Sequence, residues 1–104
     1  MGPKTQELVS VLDELASVLE RDGNTHWGSL MRNARARLLN SDYLGIEHLL
    51  SAYGGMGSLT DVVLGQSYKD GAIEWKPECD ALNERFTVLS SKAWELANAI
   101  KRSQ

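Results

Sequence analysis

The chain has 104 residues, 42% of them hydrophobic and 24% charged, with a formal net charge of -3. That length suits one domain spanning 1-104, and the apolar content is too high for a disordered chain. Mild acidity argues against nucleic acid or an anionic membrane as partner, and a single cysteine, Cys79, excludes an intrachain disulfide and any C-x-x-C metal or redox pair.

The first helix is expected from Thr5 to Arg21. On a helical wheel Leu8, Val9, Val11, Leu12, Leu15, Ala16, Val18 and Leu19 fall on one half, and Glu7, Ser10, Asp13, Glu14, Ser17, Glu20 and Arg21 on the other. Thr5 can serve as N-cap, and Gly23 suits the left-handed position after the last turn. The carboxylates in this stretch also rule it out as the apolar region of a signal peptide. No apolar run reaches the roughly 20 residues that span a bilayer, which points to a cytoplasmic protein.

A second helix starts at Asn24 or Thr25 and continues to Leu39, with Trp27, Leu30, Met31, Ala34 and Leu38 as its stripe. Asn40-Ser41 ends it. A shorter third helix follows, capped by Ser41 or Asp42, its apolar residues being Tyr43, Leu44, Ile46, Leu49 and Leu50. Gly45 costs about 1 kcal/mol of propensity there, tolerable where a neighbouring helix crosses closely.

Three glycines then fall within four residues, in Gly54-Gly55-Met56-Gly57, ahead of Ser58-Leu59-Thr60-Asp61. Ser58-x-x-Asp61 reads as a capping-box variant opening a helical turn or two. Residues 65–76 are polar and turn-rich and read as an ordered surface loop with Ile73 and Trp75 turned inward. The last helix starts near Pro77 and runs through Arg102, with Cys79, Leu82, Phe86, Leu89, Ala93, Leu96, Ala97 and Ile100 sharing one arc. The fold class that follows is all-α: a small antiparallel bundle of about four helices, with a glycine-rich loop between the third and last.

Candidate chemistry is sparse. Backbone N–H groups of Gly55, Gly57 and Ser58, leading into a helix start, could cradle an anion, but the lysine of a phosphate-binding loop is missing. A helix stop and reversal, with Met56 in the core, explains the same residues. Arg32, Arg35 and Arg37 do not share one helix face and are read as covering the core rim or pairing with the first helix. His26, His48 and Cys79 lie on three different helices without metal-ligand spacing, so neither metal nor cofactor is expected, and no activated nucleophile is recognisable. Val88 and Trp94 flank the stripe of the last helix and could pack a loop or mediate self-association.

Trp27, the run Leu49-Leu50-Ser51-Ala52-Tyr53 and the motif Gly54-Gly55-Met56-Gly57-Ser58-Leu59-x-Asp61-x-Val63-Leu64 resemble a family of short bacterial proteins of unknown function. The likeness runs over residues 8 to 102, with its specificity in the glycine motif. It implies a stand-alone bacterial cytoplasmic protein and brings no activity with it.

The function expected is therefore not that of an enzyme. It is a non-catalytic protein-interaction module, such as an immunity-type inhibitor of a toxin. Glu7, Glu14 and Glu20, or the Trp75 loop, would face a basic protein partner. The alternative is a small-ligand or anion-binding module using the N–H groups of Gly55, Gly57 and Ser58, with an arginine completing the site; Asp61 and Trp75 are the further candidate binding residues.

Overall fold

A computed structural model describes residues 2–53, 59, 62, 64, 66–69, 71–75 and 79–103, apart from the side chains of 66–69 and 73. In chain order the described elements are α1 (Pro3–Arg21), α2 (Thr25–Leu39), α3 (Leu44–Leu50), β1 (Gln66–Lys69), β2 (Ala72–Trp75) and α4 (Cys79–Arg102). The expected all-α bundle is present, with one small hairpin added to it.

Amphipathicity decides the packing. All eight apolar residues of the α1 stripe are buried, and Leu8, Leu12, Leu15 and Leu19 are wholly inaccessible. At about 1.5–3 kcal/mol for each fully buried side chain, this one face anchors the core. Met31, Ala34 and Leu38 of α2, Ile46 and Leu49 of α3, and Phe86, Leu89, Ala93, Ala97 and Ile100 of α4 complete it. Ala52, Leu59 and Leu64 close the core from the connecting segment.

The ion pairs between helices give their directions. Glu7 meets Lys92 at 3.6 Å and Glu14 meets Arg85 at 2.9 Å, so α1 and α4 run antiparallel. Along α2, Gly28 lies against Glu20 and Ala16, while Arg32, one turn on, reaches back to Asp13; α1 and α2 are antiparallel too. Lys101 pairs with Glu47 at 3.1 Å, and the Tyr53 hydroxyl donates to the Ser90 carbonyl at 2.7 Å, which sets α3 and the residues after it along the second half of α4.

Two chain reversals share one geometry. After α1, Asn24 N–H donates to the Leu19 carbonyl and Gly23 N–H to that of Glu20, with Gly23 at φ +79°. This paired arrangement satisfies carbonyls that the helix end leaves open. The Asn24 side chain then accepts from Trp27 N–H and starts α2. After α2 the pattern repeats: Asp42 N–H donates to Arg37 and Ser41 N–H to Leu38, but the left-handed residue is now Ser41, at φ +59°. Asp42 Oδ1 accepts from Leu44 N–H at 3.1 Å and opens α3.

Three expectations need correction. Thr5 is not the N-cap of α1: Pro3 occupies the first helical position and Gly2 the cap, leaving Thr5 buried in the first turn. The stretch read as a loop contains an antiparallel hairpin pairing Gln66 with Trp75, Ser67 with Glu74, Tyr68 with Ile73 and Lys69 with Ala72. Trp75 is not turned inward. It ends the second strand 55% exposed. The segment ahead of this hairpin is held by Asn83 on α4, whose side-chain amide accepts from Leu64 N–H and donates to its carbonyl, both at 2.8 Å.

Candidate functional site

Exposed apolar side chains are common on any protein, and single ones carry no message. Among the described residues, Val88, Trp94 and Trp75 are of this scattered kind. The first two flank opposite sides of the α4 stripe, and the third sits on the hairpin. Leu39, Tyr43 and Leu44 differ because they fall within six residues of sequence, at one end of the bundle, 46%, 36% and 65% exposed.

Local structure explains their exposure. Leu39 is the last residue of α2, and the left-handed Ser41 turns the chain sharply enough to leave it outside. α3 has only seven residues and buries Gly45, Ile46 and Leu49. A step of about 100° per residue therefore points Leu44 away from α2. Gly45 fixes that orientation. A Cβ there would stand 3.0 Å from both the Ala34 carbonyl oxygen and the Arg37 Cβ, so α3 crosses α2 at backbone contact.

Beside these residues the antiparallel order brings together the start of α1 and the end of α4. Between them lies a mainly apolar groove of about 460 Å³, lined by residues 2–5 with Tyr43, Ile100 and Ser103. That volume is in the range of sites that take ligands or partner side chains. Thr5 borders the groove while only 4% exposed.

Ion pairs run along the flanks of the bundle: Glu7 with Lys92, Glu14 with Arg85, and Glu20 and Asp13 with Arg32. Arg32 also reaches the Ser17 hydroxyl, and its guanidinium holds the Glu20 carboxyl below its usual range. The pairing of the arginines with α1 is thus realised at Arg32. The three glutamates expected to face a basic partner are each already matched within the chain. At the apolar end Arg37 pairs with Asp42 and Lys101 with Glu47, while Lys4, Arg35 and Arg102, like Arg21 at the far end of α1, have no acidic partner among the described residues. Arg35 lies one turn before Leu39, with its Nε buried and unbonded.

The remaining sequence candidates are not brought into this end. Gly55, Gly57, Ser58 and Asp61 lie outside the described residues, as do Met56 and Pro77. Trp75 is on the hairpin. His26 is exposed, with its ring edge-on to Trp27 at 4.7 Å. His48 borders a polar cleft with Asn33, Arg37, Asn40 and Asp42, in which Arg37 and Asp42 engage each other at 3.4 Å. Cys79 is at the start of α4, half-buried. Among the described residues no three His, Cys, Asp or Glu side chains are grouped to hold a metal ion, and no helix is long and apolar enough to cross a membrane.

The apolar end was within reach of the sequence only in part. Tyr43 and Leu44 stand out as apolar residues at the start of a very short helix, yet pattern alone places them in the core. Their exposure follows from the close α2–α3 crossing, which is tertiary.

Comparison with known proteins adds a family. No curated protein and no solved structure matches the chain. A family model does, over residues 20–72, from the last turn of α1 through α2 and α3 to the start of β2. The chain accordingly belongs to the family described as a domain of unknown function, DUF6966.

Proposed function

We propose that this chain is a non-catalytic protein-interaction module and that the apolar end of the bundle is its contact face. The observation that carries the reading is the grouping of Leu39, Tyr43 and Leu44 beside a groove of about 460 Å³. Exposed apolar side chains grouped beside a recess are costly to leave in water and mark contact sites. An immunity-type inhibitor, occluding a toxin in a bacterial cytoplasm, is one form such a module takes. Glu7, Glu14 and Glu20 on the flanks suit that role less than the end does, because each is paired within the chain.

Photo-cross-linking tests the reading. A photoreactive residue at Tyr43, exposed at the end, is compared in native lysate with one at Ser10, exposed on the outer face of α1. The reading predicts one dominant stoichiometric protein adduct from position 43 and none from position 10. Equal, diffuse labelling at both positions contradicts it.

A further inference from the structure

We draw no further inference here: the strongest candidate, the apolar groove between the start of α1 and the end of α4, belongs to the contact face already proposed, and nothing in the structure shows what covers it.

Discussion

At the scale of single residues the least comfortable position is Ser41. It holds the left-handed conformation at the end of α2, at φ +59°, where a Cβ crowds the following carbonyl. At the equivalent point after α1 the chain uses Gly23, at φ +79°. Ser41→Gly should therefore stabilise the fold by about 0.5–1 kcal/mol, since the native conformation costs glycine nothing and the turn's backbone hydrogen bonds are unchanged. Urea denaturation checks this, and a loss of stability would mean that the serine hydroxyl holds something the backbone does not. Much at this scale was hidden from sequence reading. Asn83 looks like any polar residue on a helix flank, yet its amide clamps both polar groups of Leu64, 19 residues away. The Tyr53 hydroxyl is tied to Ser90 across the α3–α4 junction, and burial pushes its ionisation well above the usual tyrosine range. Such pairings depend on where separate elements meet, and periodicity carries no information about that.

At the scale of elements, sequence reading succeeded in proportion to how strictly an element segregates its faces. Every residue of the apolar half of α1 is buried, with Thr5 the one addition, because a long helix packed by both α2 and α4 has no freedom to present another face. The hairpin escaped for the opposite reason. Residues 66–69 and 72–75 have little alternation of apolar and polar residues, so the stretch reads as loop, although Asp70-Gly71 between them is a two-residue hairpin turn signal. The two glycines inside helices give a paired prediction. Gly45→Ala gains up to about 1 kcal/mol of helix propensity. Its Cβ would stand 3.0 Å from the Ala34 carbonyl oxygen, which is backbone and cannot yield without moving α3 off α2. Net destabilisation of about 1–3 kcal/mol follows. Gly28→Ala meets only the Glu20 Cγ, at 3.1 Å, and that side chain can swing aside. The loss is then at most part of the Glu20–Arg32 pair, on a solvent-exposed flank where such pairs contribute about 0–1 kcal/mol. Thermal unfolding of the two variants should place Gly45→Ala well below Gly28→Ala. The reverse order would show that α2 and α3 do not cross at backbone contact.

For the whole molecule, the all-α architecture and the antiparallel order were legible, and the proposed contact face was not. It is made of ordinary residues, Leu39, Tyr43 and Leu44, whose exposure comes from how the short α3 seats against α2. The glutamates expected to face a basic partner, Glu7, Glu14 and Glu20, are each paired within the chain, which net charge alone does not reveal. That this apolar end is the contact face is the central proposal. The most direct measurement of it replaces Leu39 and Leu44 together by serine. Unfolding and partner recovery are then read on the same preparation, using the adduct from position 43. Both side chains are largely exposed, so stability should change by about 1 kcal/mol or less while the adduct is lost. A double variant that stays folded and yields the adduct undiminished would contradict the account.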